Sequence, residues 1–159
     1  MNIEVNAGQY VEVRNNDTAF VYDGGRAKVQ EGGHATVFAG GFATVHDRGR
    51  ASVYAMGKAY VKDGGQAIVH DHGTAEVFEG GIVEVKEGGR ATIDDGGQAS
   101  VWKGGHAVVL DGGIATVLQG STAEVQEGGF ATVYESGTAT GPGEIVYAEL
   151  PTEDLAPSI

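Results

Sequence analysis

The sequence predicts an all-β chain wound as a two-sided β-solenoid (a β-roll), with 16 residues per coil and about nine coils. Three observations lead there. The same residue types return at every eighth position, from Ile3 to Ala139, without insertion. Within each octapeptide, fixed small apolar residues alternate with variable ones. The residues at the corners follow a period of sixteen rather than twenty-four.

From Gly24 the chain reads Gly-Gly-Arg-Ala-Lys-Val-Gln-Glu, then Gly-Gly-His-Ala-Thr-Val-Phe-Ala. With the glycine pair as positions one and two, position four is Ala in fifteen of eighteen repeats, Ile3, Val11 and Val83 being the exceptions. Position six is Val in sixteen of seventeen, with Ile93 as the exception. Positions three, five and seven vary freely. Alternation of this kind has period two, so positions three to seven predict a five-residue strand with its Ala and Val turned inward. Positions eight, one and two read Asp-Gly-Gly, Glu-Gly-Gly or close variants. Gly supplies positive φ and Asp caps turns, so these three residues predict a corner.

Two strands per turn follow from which residues share an environment. Split by sixteen, position eight gives one unbroken acidic edge: Glu31, Asp47, Asp63, Glu79, Asp95, Asp111 and Glu127. The other half of position eight is mixed, running from Asp23 and Ala39 to Lys103 and Gln119. Adjacent coils lie roughly 5 Å apart, so the acidic edge sets like charges at that spacing along a rod on the order of 40 Å long.

Residues 1–141 form the predicted solenoid, and 142–159 a C-terminal segment beginning at the frame break Pro142-Gly143. There, Glu144 to Leu150 reads as a strand able to fold back as a lid, and Pro151 to Ile159 as an acidic flexible tail. At the other end Ile3, Val5, Val11 and Val13 are expected to form an exposed apolar association end, suited to pairing with a second copy as a homodimer.

Net charge is −12, with 22 acidic and 10 basic residues. Such a surface repels nucleic acid, and direct nucleic-acid binding is not expected. Eleven of the 22 acids occupy position eight, as turn residues that also keep a rod dissolved. There is no Cys, hence no disulfide or thiol chemistry.

Nothing in the sequence groups as a catalytic site, so no enzyme activity, metal or cofactor is expected. The five His fall on different columns, and only His70-Asp71-His72 clusters, at a predicted corner whose simplest reading is solvation. The glycine pairs open no helix onto Lys-Ser/Thr and are not phosphate loops. Calcium β-rolls of the RTX type use nine residues with an internal Asp, whereas this eight-residue unit holds Ala and Val inside.

Function is therefore sought on the outward faces. One face is expected to carry Thr36, Ser52, Ser100, Thr116 and Thr132, with Phe38, Tyr54, Trp102, Phe130 and Tyr134 as candidate anchors for a protein or glycan partner. The same aromatics could instead pack across strands. The opposite face mixes Arg26, Lys28, Lys58, Lys62 and Arg90 with Glu76, Asp94 and Glu124, and reads as a solvated surface. Water ordering of the ice-binding kind needs an even Thr column, and Ile68 and Glu84 interrupt this one.

Stretches such as His34-Ala35-Thr36-Val37, Phe42-Ala43-Thr44-Val45, Ile114-Ala115-Thr116-Val117 and Phe130-Ala131-Thr132-Val133 resemble the octapeptide Ala-Thr-Val proteins of bacteria and bacteriophages. The resemblance implies a repeat scaffold and carries over no catalytic residues. The expectation is a non-enzymatic structural scaffold or interaction module, with an acidic, phage-type DNA-mimicking inhibitor as the alternative and an ice-binding solenoid as a third. No apolar run is of membrane-spanning length and no signal peptide is read at the start. The expected location is cytoplasmic, or virion-associated for a phage-encoded chain.

Overall fold

A computed structural model describes residues 1–149, so the tail predicted from Pro151 to Ile159, and Leu150 before it, lie outside the described residues. The described chain forms nineteen strands and no helix, so no helix is long and apolar enough to cross a membrane. Successive strands alternate between two parallel sheets. Ten strands, from Asn2–Val5 to Glu144–Ala148, make the first sheet; nine, from Tyr10–Val13 to Thr138–Thr140, make the second. Ala35 pairs with Ala51, and Ala27 with Ala43, each sixteen residues on. The predicted two strands per turn is the observed architecture.

The strands are shorter than the alternation predicts. Most span four residues, as in Arg26–Val29, and position seven lies just beyond. Its N–H still joins the ladder, Tyr22 donating to the Val5 carbonyl at 2.9 Å. Its carbonyl, however, accepts from the Gly25 N–H at 2.8 Å and so opens a four-residue β-turn. Position seven thus belongs to the sheet on one side and to the corner on the other. The corners are also bonded from coil to coil, as where Gly24 N–H donates to the Gly40 carbonyl at 3.1 Å.

The two glycines of each corner serve different ends. At position one they take positive φ, as Gly64 does at +81°. Asn16, Arg48, Met56 and His72 occupy the same position at φ between 63° and 69°. In each of these four corners the preceding residue also has positive φ, the mark of a type I′ turn. At position two the reason is space. A Cβ on Gly65 would lie 2.3 Å from the Val45 carbonyl oxygen, and one on Gly81 2.3 Å from that of Val61. Between Gly25 and Gly137, Ser121 alone departs from glycine here. It is buried, and its hydroxyl donates to the Val101 carbonyl at 2.9 Å, the group equivalent to the one that excludes a side chain elsewhere.

The core is a stack of position-four Ala and position-six Val. Every Val from Val5 to Val133 at position six, and Ile93, is at most 1 % exposed, and the Ala residues at most 5 %. Each Val so buried contributes about 1.5–3 kcal/mol, which offsets the roughly 1 kcal/mol lost at a flexible glycine.

The ends differ from the sequence expectation. Val5 and Val13 are buried, and only Ile3 and Val11 of the predicted association end are partly exposed. Position six is covered by the next coil even in the first coil, whereas position four, buried in every later coil, is only partly covered there. A charge at Val5 would therefore enter the core instead of decorating an end. At the far end Glu144–Ala148 does not fold back. It continues the first sheet in parallel beside Phe130–Tyr134, with Ala131 opposite Ile145, so the register advances by fourteen instead of sixteen. The short corner through Gly141, Pro142 and Gly143 removes two residues, and Ile145 still packs on the core.

Candidate functional site

Because position seven turns the corner, the aromatic residues there stand along an edge of the first sheet and not across its flat middle. Tyr22 and Phe38 stack at 5.1 Å between ring centroids and 9° between planes; Phe38 and Tyr54 follow at 6.2 Å and 22°. His70 meets Tyr54 edge-on at 3.6 Å. These rings spend their faces on one another, which is the cross-strand packing role. Phe38 and Tyr54, each with a ring partner on both sides, are expected to be the costliest of them to remove. Tyr54→Ala should lower stability by about 1–2 kcal/mol in a urea titration, while Trp102→Ala should leave the midpoint within about 0.5 kcal/mol. Equal losses would show that the ladder contributes nothing.

Trp102 stands apart on the same column. It is 47 % exposed and has no ring partner among the described residues. Lys86 precedes it by one coil and Leu118 follows, with Tyr134 one coil further. Trp102, Leu118 and Tyr134, with Lys103, Gln119 and Glu135 from the neighbouring corner, line a shallow groove. At about 4.8 Å per coil, Trp102 and Tyr134 are walls roughly 10 Å apart with Leu118 as the floor. On the other side of Trp102, Glu84 and Lys86 pair at 3.6 Å.

The five predicted anchors are thus divided. Phe38 and Tyr54 belong to the stacked ladder, Trp102 and Tyr134 to the groove. Phe130 sits at position three beside Ile114, at the other end of its strand. The central column is broken in register, Ser52 facing Ile68, Ile68 facing Glu84, and Glu84 facing Ser100.

Glu31, Asp47, Asp63, Glu79, Asp95, Asp111 and Glu127 are all exposed along one corner. The row is not uniform. Asp47 meets His46 Nδ1 at 2.8 Å and Asp63 meets Lys62 Nζ at 3.5 Å, while the other five make no ion pair among the described residues. At the opposite corner His70 approaches Asp71 at 3.3 Å. Among the described residues no three His, Cys, Asp or Glu side chains are grouped so as to hold a metal ion.

Sequence reasoning missed a second aromatic cluster, on the second sheet. Phe42 and Tyr60 meet edge to face at 4.8 Å, and Tyr60 and Phe78 at 6.0 Å. Each step is eighteen residues, one coil plus two positions, which is the diagonal neighbour on a sheet. A search at a period of eighteen would have found them.

No protein-family model matches the chain, and no curated protein does. Among solved structures it is similar to the crystal structure of a TibC-catalyzed hyper-glycosylated TibA fragment, at 22% sequence identity over 92% of each chain and a TM-score of 0.27.

Proposed function

We propose that the chain is a non-enzymatic scaffold of the octapeptide Ala-Thr-Val type, which engages a protein or glycan partner through the edge of its first sheet around Trp102. The observation behind this reading is the contrast along one column. Tyr22, Phe38 and Tyr54 stack on each other, whereas Trp102 keeps its ring exposed beside Leu118 and Tyr134. An exposed Trp over an apolar floor is the kind of side chain that anchors interfaces, because it removes a large area from water at low entropic cost. The rod holds that groove on strands bonded to both neighbours, so little ordering is required on binding.

Trp102 is the single Trp of the chain, and its fluorescence reports on this groove alone. Partners retained from a glycan array or a host extract should shift that emission. Trp102→Ala should weaken them by roughly 30-fold or more, with an unchanged melting temperature. A partner that binds Trp102→Ala as tightly as the parent protein would sink this assignment.

A further inference from the structure

We infer that the second sheet carries a separate site for a linear anionic glycan, one with carboxylate or sulfate groups at regular intervals, lying along the solenoid axis. In-register pairing places Arg26, Phe42, Lys58, Thr74 and Arg90 in one line at position three. The three cations recur every 32 residues, which is every second coil, or roughly 10 Å. That interval suits a chain whose charge returns every second pyranose ring when extended. Arg26, Lys58 and Arg90 are exposed, and none enters an ion pair among the described residues. On a protein of net charge −12 this line of free cations is out of character with the rest of the surface.

The residues between the cations fit a sugar better than a bare polyanion. Thr74 is a low point between Lys58 and Arg90, and the groove there is bordered by Tyr60 and Glu76. Tyr60 is 39 % exposed and offers an aromatic surface to the C–H face of a ring. Glu76 pairs with neither Lys58 nor Arg90 within 4.0 Å and remains free to accept from hydroxyls. A DNA backbone offers no hydroxyl donor, so Glu76 would face it as an uncompensated like charge.

This site lies on the sheet opposite the Trp102 edge, so its failure and that of the proposed function are separable. The test titrates the parent protein with oligouronates and heparin oligosaccharides from dimer to hexamer, with neutral cello-oligosaccharides and single-stranded oligothymidylate alongside. The expected result is binding of the acidic tetramers and hexamers, weakening as salt is raised, with dimers far weaker. The uronate and heparin arms decide between carboxylate and sulfate. Lys58→Gln and Arg90→Gln should each lower affinity by roughly tenfold, while Lys103→Gln and Trp102→Ala should not change it. Melting temperatures equal to the parent's keep folding out of the comparison. No binding of any acidic oligosaccharide at low salt, or binding indifferent to Lys58→Gln and Arg90→Gln, overturns the proposal. Equal affinity for oligothymidylate overturns it in favour of a general polyanion surface.

Discussion

Gly33→Ala is expected to cost about 3 kcal/mol or more, against roughly 1 kcal/mol for the equivalent change Gly137→Ala. Both are position-two glycines without positive φ, so the difference lies in space alone. A Cβ at Gly33 would sit 2.2 Å from the Val13 carbonyl oxygen, a separation real Cβ atoms essentially never show. That oxygen cannot withdraw, because it accepts from the Gln30 N–H at 2.9 Å in the inter-coil ladder. At Gly137 the nearest atoms, the Val117 and Leu118 carbonyl oxygens, are 2.9 Å away rather than 2.2 Å, so the same kind of backbone clash is 0.7 Å shallower and a smaller shift relieves it. Gly64→Ala provides the contrast: its Cβ would meet only the Arg48 nitrogen at 3.8 Å, leaving the left-handed backbone cost of about 1–2 kcal/mol. Denaturant midpoints for the three variants should therefore fall in the order Gly137→Ala and Gly64→Ala well above Gly33→Ala. Three equal midpoints would mean that the glycine pair is conserved along the chain for a reason other than close approach.

The inward columns were legible because burial acts on each repeat identically, so Ala and Val repeat wherever the environment repeats. Coil length was legible for the same reason, through the acidic row at position eight. What escaped depends on relations between coils that one octapeptide does not carry. The two glycines look alike in sequence, yet one answers a torsion and the other a carbonyl twenty residues earlier; Ser121 was the visible clue. Position seven alternates like a strand residue, and only its carbonyl, turned to the N–H of position two, reveals the corner. That displacement moved Phe38 and Tyr54 from a presumed binding face into a self-satisfied ladder. Val5 and Val13 differ from the expectation because position in the chain does not set exposure: the next coil covers position six from the first coil onward. The Phe42, Tyr60 and Phe78 diagonal needed the sheet's geometry as well as its period.

Ala67→Leu tests the core itself. Ala67 is 4 % exposed and stacks between Ala51 and Val83 in the position-four column. A Leu there has no rotamer outside the lumen, since Ala at position four and Val at position six close it on both sides. The expected loss is about 1–3 kcal/mol, whereas Gln66→Leu, one residue earlier and exposed, should change little. Val83 sharpens the test, being a natural enlargement directly opposite Ala67 in the register. Val83→Ala alone should cost roughly 1–2 kcal/mol for two buried methyl groups. If the two side chains share one pocket of the lumen, Ala67→Leu combined with Val83→Ala should cost less than the sum, by at least about 0.5 kcal/mol. Strict additivity in that double-mutant cycle would show that adjacent coils pack independently, and would remove the basis for treating this core as one continuous stack.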